Sequence, residues 1–275
     1  MRKKETARDM ENKSAFRKIR SEVVKHRSHD YRHLVQRWRD VARASGVRMR
    51  SYATTPDYKL YYLKTKSLGV KGGLYISAGI HGDEPAGVEA LITWAEKNIH
   101  ILSELPCLLF PCLNPWGLIN NRRTDQNGVD LNRIFHLKNL PSIEAMKQLI
   151  EPHHFAASLM LHEDYDGQGL YLYETEFAVP FWGEKFLKAA RSVIPIDNRI
   201  RIDGRKQLKP GIVRRKINMK RFLSFGIPEA LHLHIEHSDR TFTIETPSEF
   251  ALDQRVAAHM AVLDECLRLV MGKRG

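Results

Sequence analysis

Short apolar runs alternate with segments of helical periodicity along this chain of 275 residues. The clearest apolar runs are 73–80, 105–113, 155–161 and 241–244, and the first of them is followed by a helix-like segment over 88–97. Strands that alternate with helices are typical of a parallel sheet with helices on its faces. We therefore predict an α/β fold with a mixed, largely parallel central sheet flanked by helices.

The N-terminal part of the chain divides into an extension and the start of this domain. Residues 1–28 are polar and rich in Lys and Arg, which predicts a basic flexible or helical extension. Helical periodicity begins after Asp30 and ends at Gly46, and strand-like runs follow. We predict one domain over 29–275.

Charge is distributed unevenly. The net charge is +12, but the first 50 residues hold 16 bases and 6 acids, so that the remaining 28 bases and 26 acids give only +2. A basic surface that attracts nucleic acid is therefore not expected on the body of the fold.

No segment predicts a membrane span or a secretory signal. The stretch 105–121 lacks charge but contains three prolines and a glycine, and the basic N-terminus has no apolar core. We expect a cytoplasmic protein that does not enter the membrane. Its cysteines, Cys107, Cys112 and Cys266, are expected to be reduced and buried.

Polar clusters follow several of the predicted strands. His81 and Glu84 form an H-x-x-E unit after the run 73–80, and imidazole and carboxylate groups both suit zinc. A structural alternative is that Glu84 only caps a helix that begins near Pro85. His162 ends another apolar run and could complete a site with two histidines and one carboxylate, although a single histidine there is often only structural.

Two more clusters carry groups that suit catalysis. The segment 120–133 is dense in Asn and Arg, and Arg is a planar two-pronged donor for carboxylates. Glu245 ends the last apolar run and is a candidate general base. The structural alternative for the segment 120–133 is a solvated loop, and for Glu245 it is a surface carboxylate at a strand end. Since ligands of open α/β sheets bind beyond the carboxyl ends of strands, all four clusters could meet in one crevice.

These motifs, in this order, resemble the zinc carboxypeptidases of the carboxypeptidase A-like family. They are HGDEPAG, R-x-D-x-x-G-V-D-L-N-R, LH at a strand end and T-I-E-T-P, and they extend over about 73–249. Short bacterial cytoplasmic members are the most similar, and the related succinylglutamate desuccinylase/aspartoacylase branch shares H-x-x-E and D-L-N-R. The resemblance implies the phosphorylase/hydrolase-like fold of these enzymes.

The resemblance also implies a metal centre with one Zn²⁺ per chain. Its ligands would be His81, Glu84 and His162, and Asp130 would orient His81. Glu245 would take a proton from the water that attacks the substrate. Three protein ligands leave zinc an open position for chemistry.

Three further residues are implied in substrate binding. Arg123 would polarise the scissile carbonyl, and Asn132 and Arg133 would hold a terminal carboxylate. A cation beside a carbonyl oxygen stabilises the negative charge that develops there.

One position departs from the family pattern. These carboxypeptidases usually have a substrate-binding tyrosine shortly before the base, but no tyrosine occurs between Glu174 and Glu245. Tyr165, Tyr171 and Tyr173 could face the pocket or be ordinary strand residues.

The run HLHIEH adds three histidines and Glu236 that the motifs do not use. It could form a second metal site, but we favour a pocket wall or a plain strand. The histidines are His232, His234 and His237.

The predicted function is a zinc-dependent metallocarboxypeptidase that hydrolyses the C-terminal peptide bond of small peptides. The alternative is a zinc-dependent N-acyl amino acid deacylase, and a third hypothesis is a non-catalytic binding module. Either enzyme needs a peptide or N-acyl amino acid substrate with a free carboxylate. The sequence does not decide the charge of the substrate, because 148–183 contains no Lys or Arg whereas 199–221 contains ten.

Overall fold

The computed structural model describes residues 27–138, 140–175, 179–215, 217 and 224–272. The predicted extension over 1–28 lies almost entirely outside these residues, and it stays a prediction. Within the described part of the chain, no helix is long and apolar enough to cross a membrane.

The described residues form ten strands. They are β1 (Arg48–Thr54), β2 (Lys59–Lys64), β3 (Leu74–Ala78), β4 (Cys107–Phe110), β5 (Ala157–Asp164), β6 (Tyr171–Thr175), β7 (Arg201–Ile202), β8 (Arg205–Lys206), β9 (Ile212–Arg215) and β10 (Thr241–Pro247). Eight of them form one sheet in the order β1-β2-β4-β3-β5-β10-β6-β9, and β7 and β8 form a separate two-stranded hairpin. The central strands β4, β3, β5 and β10 run parallel, and antiparallel pairs join them to the outer strands. The predicted mixed, largely parallel sheet is confirmed.

Helices cover both faces of this sheet. They are α1 (Tyr31–Ser45), α2 (Pro85–Lys97), α3 (Ile99–Leu102), α4 (Pro115–Asn120), α5 (Pro141–Ile150), α6 (Gly183–Ala190), α7 (Glu229–Glu236) and α8 (Leu252–Met271), with a 3₁₀ turn at Leu131–Arg133. One face packs Trp38, Trp94 and Val262 against the sheet, and the other packs Phe155 and Met146. The parallel strands are buried on both sides, which explains why their sequences are continuous apolar runs.

The helix predicted after Asp30 is α1. The Asp30 side chain accepts a hydrogen bond from the His33 backbone N–H, and Gly46 ends the helix with φ +73°. A glycine adopts this left-handed conformation without steric cost. The three cysteines are free and buried, as expected.

One sequence interpretation was wrong in part. The HLHIEH run is not a strand, because it forms the end of helix α7 with His237 as its C-cap. The backbone N–H groups of His232 and His237 donate to the oxygens of Pro228 and Leu233, four residues back, as in an α-helix. Alternating His and Leu imitate the period of a strand. The segment 120–133 is more than the solvated loop considered as an alternative, since it ends in the 3₁₀ turn.

Candidate metal centre

The turn between β3 and α2 places His81 and Glu84 at the carboxyl end of the central strand. Gly79 bends the chain with φ +64°. A Cβ atom on Gly82 would lie 1.9 Å from the Gly117 carbonyl carbon, so the turn packs directly on the backbone of α4. Glu84 stands just before α2, but its side chain makes no capping hydrogen bond. The capping alternative is therefore wrong for the Glu84 side chain.

The Glu84 carboxylate instead lies between two histidines. Its Oε1 is 2.5 Å from His81 Nδ1 and its Oε2 is 2.8 Å from His162 Nδ1. The two imidazole rings are 5.0 Å apart, and all three side chains are buried. Their ligand atoms lie within 4.8 Å of one another, which no other such group in the described part of the chain achieves. This group can hold a metal ion.

Opposite charges hold these groups together. Burial would raise the pKa of Glu84, but the two histidines outweigh it and hold the pKa well below its usual range. Burial would lower the pKa of His81, but Glu84 and Asp130 raise it to about 9. A bound cation would replace the histidine protons as the positive charge that faces Glu84, because both Nδ1 atoms already point at its carboxylate.

Glu163, the residue after His162, supports this arrangement from the opposite side of β5. Its backbone N–H donates to Glu84 Oε2 over 3.2 Å. Its carboxylate accepts from the Ala86 backbone N–H over 2.6 Å and pairs with Arg255. Glu163 therefore joins the start of α2 to β5 and α8. The sequence analysis did not single out Glu163.

Asp130 and Arg123 lie on the open side of the group. His81 Nε2 donates to Asp130 Oδ1 over 3.2 Å, which leaves Nδ1 of His81 toward Glu84. Arg123 Nε donates to Asp130 Oδ2 over 3.1 Å, and its Nη1 is 3.6 Å from Glu84 Oε1. The structure thus brings the guanidinium to the edge of the metal centre.

Asn132 and Arg133 come from the 3₁₀ turn beside this edge. The Asp130 side chain accepts from the Asn132 backbone N–H over 2.9 Å. The side-chain oxygen of Asn132 accepts from the Glu229 backbone N–H over 2.9 Å, so the amide nitrogen is the group left to face the cavity. Arg133 is exposed and lines the same cavity.

Glu245 is fixed by the sheet itself. It pairs with His162 in the parallel register of β10 and β5, and with Tyr171 in the antiparallel register of β10 and β6. The pKa of Glu245 is raised to about 8, because burial and the nearby Glu84 outweigh the opposite effect of His162. The structure therefore brings this carboxylate beside the three side chains that can hold a metal ion.

A cavity of about 480 Å³ joins these groups. Of the eight residues singled out from the sequence, seven line it; Asp130 lies behind, against His81 and Arg123. Tyr171, Tyr173 and His234 are also in its wall, whereas the Tyr165 side chain is 75% exposed and is not.

The β7-β8 hairpin supplies another part of the wall that the sequence analysis missed. Tyr173 donates its hydroxyl proton to Asp203 Oδ2 over 2.5 Å, and Asp203 and Gly204 form the tip of the hairpin with φ +48° and +70°. The Asp-Gly pair is a known signal for a two-residue hairpin turn. That signal could have revealed the hairpin.

Comparison with known proteins agrees with this geometry. Residues 71–164 match the model of the succinylglutamate desuccinylase/aspartoacylase catalytic domain, about a third of the chain. The matched segment includes His81, Glu84 and His162 and ends before Glu245. It confirms the predicted resemblance. No curated protein sequence matches the chain.

Solved structures extend the likeness over most of the chain. A candidate metallopeptidase from Shewanella amazonensis is 20% identical with a TM-score of 0.77, over 88% of this chain and 94% of that one. The chain has the metallocarboxypeptidase fold. A metallo-carboxypeptidase from Pseudomonas aeruginosa, in complex with (2-guanidinoethylmercapto)succinic acid, is 19% identical with a TM-score of 0.60, over 89% of this chain and 69% of that one. The murein-tripeptide amidase MpaA from Escherichia coli O157 is 18% identical with a TM-score of 0.51, over 80% of this chain and 91% of that one.

Proposed function

We propose that this protein is a zinc-dependent metallocarboxypeptidase that hydrolyses the C-terminal peptide bond of small peptides. The observation that carries the proposal is the shared cavity. Its walls bring Glu245 beside a group that can hold a metal ion, and they place Asn132 and Arg133 beside the same group. A hydrolase for substrates with a free carboxylate needs these two regions together.

The donor set fits zinc. Two imidazoles and one carboxylate are common ligands of catalytic zinc, and His81, Glu84 and His162 are the residues that would hold it. When bound, zinc acts as a Lewis acid that lowers the pKa of water and polarises a carbonyl group.

Residues of the chain carry out the proton transfers, stabilise the developing charge and bind the substrate. Glu245 accepts a proton from the attacking water as oxygen bonds to the carbonyl carbon, and it returns that proton to the leaving nitrogen as the C–N bond breaks. Arg123 stabilises the negative charge on the carbonyl oxygen. Asn132 and Arg133 bind the terminal carboxylate, which fixes which bond reaches Glu245.

A carboxylate-bearing substrate has indirect support. The Pseudomonas aeruginosa enzyme of the same fold was solved with a succinic acid derivative. In this chain, the guanidinium groups of Arg123 and Arg133 both line the cavity and could pair with such a group.

A second candidate function is an N-acyl amino acid deacylase. It is favoured by the match of 71–164 to the desuccinylase/aspartoacylase catalytic domain. The same residues would cleave an amide in either substrate, and only the group on the acyl side differs. A non-catalytic binding module is less well supported, because that role does not require Glu245 beside the metal-binding residues.

The experiment is elemental analysis of the purified protein combined with two substrate libraries. One holds unblocked di- and tripeptides, and the other holds N-acetyl, N-succinyl and other N-acyl amino acids. At least one chelator-removable zinc per chain, with release of a C-terminal amino acid from peptides, supports the carboxypeptidase. Turnover of acylated amino acids alone supports the deacylase. Zinc binding without turnover in either library contradicts both enzymes and favours the binding module.

A further inference from the structure

Two histidines lie on α7 and at its C-terminal end, away from the cavity. Leu231 and His234 of this helix line the cavity, whereas His232 and His237 do not. His232 instead packs against Phe135, with ring centroids 5.6 Å apart. The proposed function uses neither His232 nor His237.

His237 is 4% exposed and presents one unused nitrogen. Its Nδ1 is 3.2 Å from the backbone oxygen of His153, which can only accept, so Nδ1 is the donor in this contact. Nε2 is buried without a hydrogen-bond partner in the described residues. The nearest charged atoms are Oε2 of Glu151 and Oε2 of Glu236, each 3.7 Å from Nε2.

His232 presents a second such nitrogen. Its Nε2 is also buried and has no hydrogen-bond partner among the residues that the structure describes. Its ring is 5.2 Å from the ring of His237, close to the 5.0 Å between His81 and His162. Burial, with His237 and Lys147 adding to it, lowers the pKa of His232 to about 4. The ring is therefore neutral at physiological pH, as a metal ligand must be.

We propose that His232, His237 and Glu151 form a second site for a divalent transition metal ion such as Zn²⁺. Two imidazoles and a carboxylate are a suitable ligand set. The ligand atoms of these three residues do not all lie within 4.8 Å of one another, as those of the first group do. Glu151 follows the last residue of α5 and its side chain is 74% exposed, so it is free to turn toward the two nitrogens when an ion binds. Glu236 offers another carboxylate at the same distance from His237.

A bound ion would resolve an unfavourable feature of this region. A buried polar atom without a hydrogen-bond partner destabilises the fold, and here two such nitrogens belong to neighbouring rings. A metal ion would bind both nitrogens and join the end of α5 to the helix that walls the cavity. The positive charge of Lys147 nearby is already engaged, since its ammonium contacts the backbone oxygens of Phe135 and Leu137 and pairs with Glu144.

The test is titration of chelator-treated full-length protein with Zn²⁺, followed by isothermal calorimetry and elemental analysis. Wild type is expected to bind two ions per chain. His162→Ala, which damages the cavity site, should retain one ion, and His162→Ala combined with His232→Gln should retain none. A second readout is the visible absorption of Co²⁺ bound in the His162→Ala background, which His232→Gln should abolish.

Glu151→Gln tests the site without changing a buried residue, because Glu151 is a surface residue whose replacement leaves the core intact. It should weaken the second ion by about tenfold or more while circular dichroism stays unchanged. His154→Gln is the matched control, since His154 is an exposed histidine nearby that pairs with Asp239. Its metal stoichiometry should equal that of wild type.

Two results would overturn the site. One is a His162→Ala protein that binds no Zn²⁺ at micromolar concentrations. The other is a second ion that binds equally well to wild type, His232→Gln and Glu151→Gln.

Discussion

Glu245 on β10 lies directly beside His162 on β5, because the two residues are partners in the parallel register of the central sheet. A one-residue slip of β10 would turn Glu245 to the opposite face, so the register fixes the base relative to the metal centre. Burial on both faces of the sheet makes such a slip costly. The position of the proposed base therefore depends on the core as well as on the cavity.

Glu245→Gln is expected to retain metal but to lose turnover by about 10²–10⁴-fold, because glutamine cannot accept the proton from water. His81→Ala should lose both metal and turnover, since His81 is one of the three metal-binding side chains. Zinc analysis and kcat on the best peptide substrate measure the two effects. Equal turnover by wild type and Glu245→Gln would refute the general-base role.

Arg133→Ala is expected to raise KM by about tenfold or more for substrates with a free terminal carboxylate, because a charge-assisted hydrogen bond is lost. Peptides amidated at the C-terminus should bind poorly to wild type, and the substitution should change their KM little. Arg122→Ala is a suitable control, since Arg122 is a neighbouring exposed arginine that does not line the cavity. If free and amidated peptides respond alike to Arg133→Ala, Arg133 does not bind the carboxylate.

The parts of the fold that could be predicted are those with a local signal. Each central strand is a continuous apolar run, and His81 and Glu84 are three residues apart in one turn. The polar ends of the parallel strands then meet at one edge of the sheet for geometric reasons. Both the sheet and the cluster of metal-binding candidates therefore follow from short stretches of sequence.

The parts that were missed depend on contacts between distant residues. Tyr173 bonds to Asp203 across 30 positions, and Glu229 fixes the Asn132 amide across 97. No short sequence pattern predicts a contact between residues so far apart in the chain. In α7, Leu and His alternate with the period of a strand, but the backbone N–H groups of His232 and His237 each bond to an oxygen four residues back and form a helix there.

Gly82→Ala is expected to destabilise the protein by about 1–3 kcal/mol or more and to weaken metal binding, because its new Cβ would meet the backbone of Gly117 rather than a flexible side chain. The clash would shift the turn that carries His81 and Glu84. Gly69→Ala is the matched control, since its Cβ would meet only the Lys71 carbonyl oxygen at 3.8 Å. Urea unfolding and Zn²⁺ titration of both variants measure the effect. Wild-type zinc affinity in Gly82→Ala would show that the turn tolerates the shift.

His259 should make stability depend on pH. It is fully buried on α8 with its Nε2 3.1 Å from Thr246 Oγ1, and burial, reinforced by His162 and Arg255, lowers its pKa to about 3. Above pH 6.5 the ring is neutral in both the folded and the unfolded chain. Below pH 6.5 the unfolded chain takes up a proton that the folded chain excludes down to about pH 3, so the free energy of unfolding falls as the pH falls.

His259→Gln removes this proton uptake while keeping a polar group beside Thr246. We expect the stability advantage of wild type over His259→Gln to shrink by about 1 kcal/mol between pH 7 and pH 5.5. Urea unfolding of the metal-free proteins at several pH values measures this difference. The metal is removed because metal binding itself depends on pH and would change the measured free energy of unfolding. Because the other titrating groups are shared by both proteins, they cancel in the comparison. A difference that stays constant over this range would mean that His259 is protonated in the folded protein or reaches solvent.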